Sequence, residues 1–299
     1  MKLGYIGLGK MGFNMVERLL EKGHEVVIFD RNRETVSALA AKGAEPVATL
    51  ESMAVRLAAP RLLWIMVPYG AVDDVLQELM PFLAKGDTVI NGGNSPYKHS
   101  TRRAGELRGR GVDFLDAGIS GGPHGARTGA CIMVGGEETV YRRHEALFHD
   151  LAVENGYLYT GPAGSGHFTK MVHNGIEYGM MQALAEGFAV LKTSPFGLDL
   201  AAVAGLYDRG SVIESRLVDW LREGYEQFGP ELKEVSGSAA QSGEGMWTIE
   251  AARELGIPVP VIQASLDFRL ASVRNPSYTA KIISVLRHQF GGHEVKSKS

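Results

Sequence analysis

Gly7, Gly9 and Gly12 stand directly after an apolar run, Lys2 to Ile6, and open a helical pattern, so the chain must begin as a strand turning tightly into a helix. In G-x-G-x-x-G the first glycine allows the turn, the second lets backbone approach a pyrophosphate, and the third lets helix and strand pack closely. Asp30 closes a second apolar run 18 residues after Gly12, close to the spacing at which a carboxylate meets a ribose. A bound dinucleotide is therefore expected. Its contacts fall on Gly7, Leu8, Gly9, Met11 and Gly12, on Asp30, Arg31 and Asn32, and on Val67, Pro68 and Asn94 after later strands. Asp30 suits the ribose hydroxyls of NAD, the favoured cofactor, whereas Arg31 and Arg33 could hold the 2′-phosphate of NADP, which stays open.

Short β-rich runs alternate with helical patterns through the first half. They span Lys2 to Ile6, Glu25 to Asp30, Leu62 to Val67, Thr88 to Asn91, Asp113 to Asp116 and Ala130 to Val134. Such alternation predicts an α/β fold, an N-terminal Rossmann-type doubly wound sheet, mostly parallel, with helices on both faces. The strand signals stop near residue 163, and an all-helical domain with one long helix is expected beyond. That helix runs from His167 to Lys192, about 40 Å at 1.5 Å per residue, capped by Ser165 and ended before Pro195. Further helices are expected over Val203 to Gln227, Thr248 to Leu255, Val261 to Ser272 and Thr279 to Gln289. The expected division is a dinucleotide-binding domain over 1–163, a helical substrate and dimerisation domain over 164–290, and a flexible tail over 291–299.

Composition removes several functions. A formal charge of −3 gives no general attraction to nucleic acid or to an anionic membrane, so neither partner is expected and any anionic ligand must be held locally. No stretch approaches the roughly 18 apolar residues of a membrane span. The start lacks the charged leader and long apolar core of a signal peptide, and a cytoplasmic location is expected. With Cys131 the single cysteine and no zinc-like spacing, neither a disulfide framework nor a metal is expected.

Lys170, His173, Asn174 and Glu177 lie at i, i+3, i+4 and i+7 on the long helix, within a stripe roughly 100° wide. Such groups often decorate a solvated face. Here Met171, Val172, Ile176, Met180, Met181 and Leu184 leave few solvent-facing positions, so the helix reads as buried nearly all round and the polar stripe as the lining of a cleft. Two glycine turns, Gly92-Gly93-Asn94-Ser95 and Ser120-Gly121-Gly122, fall beyond strand ends, where a small polar substrate can approach the backbone. His144 and His149 lack metal spacing and read as solvated, while Trp64, Trp220 and Trp247 read as packing residues.

These segments resemble the short form of the decarboxylating 6-phosphogluconate dehydrogenases, within the β-hydroxyacid dehydrogenase superfamily. The likeness covers essentially the whole chain. It rests on GLGKMG at 7–12, GGNS at 92–95, SGG at 120–122, KMVHNGIEYG at 170–179, SGEGMWT at 242–248 and RHQFGGH at 287–293. The resemblance implies oxidative decarboxylation of 6-phospho-D-gluconate to D-ribulose 5-phosphate and CO₂ with reduction of NAD or NADP, in gluconate and pentose phosphate metabolism. It implies Lys170 as general base and Glu177 as general acid, and Ser120, Gly121 and Gly122 at the substrate carboxylate. Asn94, His173 and Asn174 are implied at the hydroxyls, with Tyr178 and Arg269 at the phosphate. Arg287 and His293 are implied to come from a neighbouring subunit, so that a homo-oligomer, at least a dimer, completes each site. The chain departs from the family at Met246, where a lysine or arginine of the phosphate-binding loop is usual.

The chemistry suits these side chains without a metal. Oxidising C3 of a 3-hydroxy acid makes a ketone β to the carboxylate, so the electrons left by CO₂ delocalise onto the carbonyl oxygen. A lysine can take the hydroxyl proton and then stabilise the enolate, and a protonated glutamate can deliver a proton to carbon. Two readings compete: a β-hydroxyacid dehydrogenase that acts on another small 3-hydroxy acid without losing CO₂, and a non-catalytic dinucleotide-binding protein.

Overall fold

A computed structural model describes residues 1–241 and 243–295. Ser242, which opens the SGEGMWT segment, and the last four residues of the expected tail lie outside the described residues. The chain divides into two compact units, Met1–Lys170 and Met171–Ser299.

The first unit alternates strands and helices. In order these are β1 (Lys2–Ile6), α1 (Lys10–Glu21), β2 (Glu25–Phe29), α2 (Arg33–Ala40), β3 (Glu45–Pro46), α3 (Leu50–Arg56), β4 (Leu62–Ile65), α4 (Val72–Leu79), β5 (Thr88–Asn91) and α5 (Tyr97–Arg108). There follow β6 (Asp113–Ser120), α6 (Gly122–Thr128), β7 (Ala130–Gly136), α7 (Glu138–Arg143), α8 (Glu145–Leu151) and β8 (Ala152–Gly161). All eight strands form one sheet, in the order β3-β2-β1-β4-β5-β6-β7-β8. The two-residue period of a strand sends alternate side chains to opposite faces. Leu3 and Tyr5 of β1 thus join Met15, Val16 and Leu19 of α1 in one core, and Ile6 joins Met53, Leu63 and Ile65 in another. Helices cover both faces.

The sheet differs from expectation at one edge. β6 pairs antiparallel with β7, and β8 runs parallel to β7, so the last two strands reverse the direction of the first six. β8 escaped the sequence pattern because Glu154-Asn155-Gly156 interrupts it. Asn155 has φ 57° and the pairing with β7 shifts register there, as a bulged edge strand does. His144 also differs: its Nε2 lies 3.0 Å from Thr88 Oγ1, and burial lowers its pKa to about 4, so it is packed rather than solvated.

The long helix α9 (Ser165–Thr193) belongs to the first unit as far as Lys170 and to the second thereafter. The second unit adds α10 (Leu200–Tyr207), α11 (Arg216–Phe228), α12 (Glu244–Glu254), α13 (Pro260–Ser272) and α14 (Tyr278–Gly291). The helical pattern expected over 203–227 is divided between two helices, because Gly210 takes φ 73° and Ser215 starts a new helix by accepting the Val218 N–H. Met181, Ala185 and Phe188, at i, i+4 and i+7 of α9, pack with Leu221 and Tyr225 of α11 and with Ile282 and Leu286 of α14. Among the described residues after α14, Val295 does not stand free as expected of a flexible tail: it is buried with that cluster and its carbonyl accepts the Ser236 N–H at 2.6 Å.

Candidate active site

The dinucleotide loop is built as its glycines require. Gly7 has φ 97°, and a Cβ there would stand 2.4 Å from the Met66 carbonyl oxygen; one on Gly12 would stand 2.1 Å from that of Gly7. Gly9 differs, since a Cβ on it meets no atom within 4 Å. It is exposed, and as N-cap of α1 it offers no side chain to the helix amides. An open space before uncapped amides suits a pyrophosphate, so the loop fits the cofactor. Asp30 fixes this arrangement by accepting the Leu8 N–H at 2.5 Å and the Asn32 N–H at 2.7 Å. Asn32 itself caps α2 through the Glu34 and Thr35 amides, while Arg31 and Arg33 are exposed. Val67 is half-buried, Met11 likewise, and Pro68 and Asn94 are exposed. Gly92 and Gly93 have a packing reason of their own: a Cβ would stand 2.5 Å from the Trp64 ring nitrogen or 2.3 Å from the Val67 carbonyl oxygen.

Lys170 is seated by β6. Asp116, Gly118 and Ser120 share one face of that strand. Asp116, fully buried, accepts the Gly164 N–H on one oxygen at 2.6 Å and the His167 N–H on the other at 2.8 Å. This carboxylate, not Ser165 as expected, caps α9; the Ser165 hydroxyl pairs with Thr160 Oγ1 instead. Two residues along, Gly118 leaves the space that Lys170 fills, and Lys170 is only 7% exposed. Beyond Ser120 the chain turns through Gly121 and Gly122, at φ 121° and 61°.

The remaining stripe residues and the expected phosphate group lie in the second unit. His173 Nδ1 lies 3.0 Å from Asn174 Oδ1 and 3.9 Å from Glu177 Oε2. The Glu177 side chain is 22% exposed, and Asn174 is buried. Both Ile176 and Met180 are exposed, so α9 is not buried all round: it has an outward apolar edge beside the polar stripe. Tyr178 is buried with the Arg269 guanidinium 3.4 Å from its ring centroid. Burial lowers the Arg269 pKa to about 10, which still leaves a cation at neutral pH, and its Nε has no hydrogen-bond partner among the described residues.

Arg287 lies among residues of its own chain. Its pKa is lowered by burial and raised by Tyr178, Glu244 and Glu177. Two buried guanidiniums thus stand beside one tyrosine, and the carboxylates of Glu177 and Glu244 offset part of the cost of desolvating Arg287. His293 lies edge-on to Phe290, with its carbonyl oxygen 2.7 Å from His288 Nδ1. Met246 is 41% exposed and adds no charge.

Residues 2–161 match the family described as the NAD binding domain of 6-phosphogluconate dehydrogenase, and residues 166–298 match the 6-phosphogluconate dehydrogenase C-terminal domain. The chain belongs to the 6-phosphogluconate dehydrogenase family. Membership in this family makes it an oxidoreductase that uses NAD or NADP. It is 42% identical over 300 residues to the NAD(+)-dependent, decarboxylating 6-phosphogluconate dehydrogenase of Haloferax volcanii, covering 100% of this chain and 99% of that one. It is 48% identical to the YqeC protein of Bacillus subtilis, with both chains fully covered. Among solved structures it superposes on Plasmodium falciparum 6-phosphogluconate dehydrogenase with a TM-score of 0.83 and 30% identity, over 92% of this chain and 62% of that one. Mycobacterium tuberculosis 3-hydroxyisobutyrate dehydrogenase, at 20% identity and a TM-score of 0.75, shares the fold. No helix among the described residues is long and apolar enough to cross a membrane.

Proposed function

We propose that this dehydrogenase oxidises and decarboxylates 6-phospho-D-gluconate to D-ribulose 5-phosphate. The observation that carries the choice of substrate is the pair of buried guanidiniums, Arg269 and Arg287, one with an unfilled Nε donor, beside the Tyr178 ring. In this reading the carboxylate of an unphosphorylated acid lies at the Ser120-Gly121-Gly122 turn, which leaves no second anionic group for these cations. The Haloferax volcanii relative carries the same activity in its name.

A nicotinamide dinucleotide, held by the Gly7 to Gly12 loop and Asp30, supplies the electron acceptor. The chain's own residues move protons. Lys170, largely shielded from water, takes the proton of the C3 hydroxyl and afterwards stabilises the enolate oxygen left by CO₂. Glu177, two helical turns further along α9, returns a proton to carbon. Ser120, Gly121 and Gly122 meet the carboxylate end, and Asn94, His173 and Asn174 bind hydroxyls. Comparing kcat/KM for 6-phosphogluconate with that for gluconate tests the choice of substrate. The phosphorylated acid is favoured by a factor of about 100 or more, since charge-assisted bonds contribute about 1.5–3 kcal/mol each. Equal values contradict it.

Self-association belongs to the same proposal. Ile176, Met180, Ala183, Gly187 and Val190 are all exposed and follow a 4-3-4-3 spacing, the seam of paired helices rather than of a helix laid on a sheet. Met180, Ala183, Gly187 and Val190 line a groove of about 650 Å³ together with Val212 and Ile213. Ridge and groove on one face suit a two-fold contact between copies, with Ala183 and Gly187 permitting close approach. Light scattering should give twice the 32.3 kDa chain mass, and Ala183→Arg should return it to the single value. A wild-type monomer contradicts the seam.

A further inference from the structure

We infer that Asp116 is a positioning residue for the reaction, acting through the first turn of α9 to set Lys170 against the Ser120-Gly121-Gly122 turn. This rests on the role proposed above for Lys170. Asp116 sits mid-strand in β6 with no exposed surface, in a run, Phe-Leu-Asp-Ala-Gly-Ile, that is otherwise apolar or small. A buried carboxylate that only filled space would cost stability. Here each oxygen accepts one amide, from Gly164 and from His167, so the charge complements the positive end of the helix that carries Lys170.

Three further observations show that the first turn is held to tight tolerance. A Cβ on Gly166 would stand 2.5 Å from the Asp116 carbonyl oxygen and 2.6 Å from that of Met133, so helix backbone lies directly on strand backbone. A Cβ on Gly135 of β7 would stand 2.7 Å from Asp116 Oδ1 and equally close to the Gly166 nitrogen. The third is His167, fully buried, whose Nδ1 pairs with Ser100 Oγ at 2.7 Å and which ties the same turn to α5. Asp116 Oδ2 is 3.8 Å from that ring nitrogen, and the imidazole is neutral because burial lowers its pKa. On β6, positions 116, 118 and 120 therefore hold the cap, the Lys170 seat and the first residue of the glycine turn on one face. A shift of the cap moves the amine relative to the turn. Asp116 acts through the Gly164 and His167 amides, not on the substrate.

Asp116→Asn keeps the shape but replaces one acceptor oxygen with a donor; Asp116→Ser keeps a single short acceptor. Both should fold, bind the dinucleotide with unchanged Kd, and keep KM within about threefold. Their kcat should fall on the order of 10- to 100-fold, the scale of a 1 Å misplacement, with Ser losing more than Asn. Leu147→Ala, a core truncation in the same unit, serves as the matched control: it melts lower yet keeps kcat. If the two Asp116 variants behave like Leu147→Ala, melting lower with wild-type kcat, the inference is overturned. Lys170→Met separates the two ideas. An inactive Lys170→Met beside a fully active Asp116→Asn sinks only the positioning role, whereas an active Lys170→Met sinks the underlying assignment.

Discussion

Gly118 has no side chain where Lys170 needs the room: a Cβ on Gly118 would stand 2.3 Å from the Cβ of Lys170. The strand that ends in the Ser120 turn and the helix that carries the amine are thereby in direct contact. Gly118→Ala should keep the sheet but push Lys170 aside, at an overpacking cost of about 1–3 kcal/mol. Its kcat should fall on the order of 100-fold with dinucleotide affinity retained. Lys170→Met should abolish oxidation without loss of dinucleotide binding, and Glu177→Gln should slow proton return to carbon more than oxidation. These are read by single-turnover absorbance and by Kd titration. Full turnover in Gly118→Ala contradicts the contact.

The three glycines of the loop should separate by substitution. Gly9→Ala meets no protein atom and has φ −63°, so the melting temperature should hold while dinucleotide affinity drops about tenfold or more from crowding of the ligand. Gly12→Ala collides with the Gly7 carbonyl, so its melting temperature should drop by several degrees for each kcal/mol lost. Thermal melts with and without NAD and NADP distinguish the two. Identical behaviour of both variants contradicts the division of roles.

Arg269→Met should raise KM for 6-phosphogluconate about 10- to 100-fold, from loss of one or two charge-assisted bonds, and leave KM for gluconate nearly unchanged. Met246→Lys, which places a cation at this exposed position, should lower KM for the phosphorylated substrate. A rise of equal size for both acids in Arg269→Met points to a structural role for the guanidinium.

Stability should fall on mild acidification. His144 and His167 are neutral in the folded protein because burial lowers both, His144 to about 4 from 6.5. Unfolded, each takes up a proton near the ordinary histidine value. Between those values the unfolded chain binds more protons, so stability is full above about pH 7 and declines as pH drops toward 4. Asp73, held to about 2 mainly by its bond to Arg103, keeps its contribution through that window. Melting at pH 7 and pH 5 should show the loss, and His144→Gln should lessen it. An unchanged melting temperature in the wild type contradicts the burial reading.

Much of this architecture is legible in residue spacing. The first strand, the glycine loop and Asp30 follow from local chemistry, because a turn with positive φ leaves few residue choices. α9 is legible as one long period ending before Pro195. What escaped was set by distant partners. The cap of α9 comes from Asp116, 49 residues before Ser165, and the only trace in the sequence is a single carboxylate inside an apolar strand. Ile176 and Met180 look like core residues because apolar side chains at a seam and in a core share the same helical period. The resemblance implies a role for Arg287 in a neighbouring subunit's site. Within one chain, its nearness to Tyr178 and Glu177 depends on how α14 packs on α9, which spacing cannot reveal.

The decisive measurement is the ratio of CO₂ released to dinucleotide reduced when the wild-type protein is given 6-phosphogluconate with NAD or NADP. The predicted result is one CO₂ for each reduced dinucleotide. Reduced dinucleotide without CO₂ would leave a non-decarboxylating β-hydroxyacid dehydrogenase, and neither product, despite measurable dinucleotide binding, would contradict catalysis by Lys170 and Glu177 altogether.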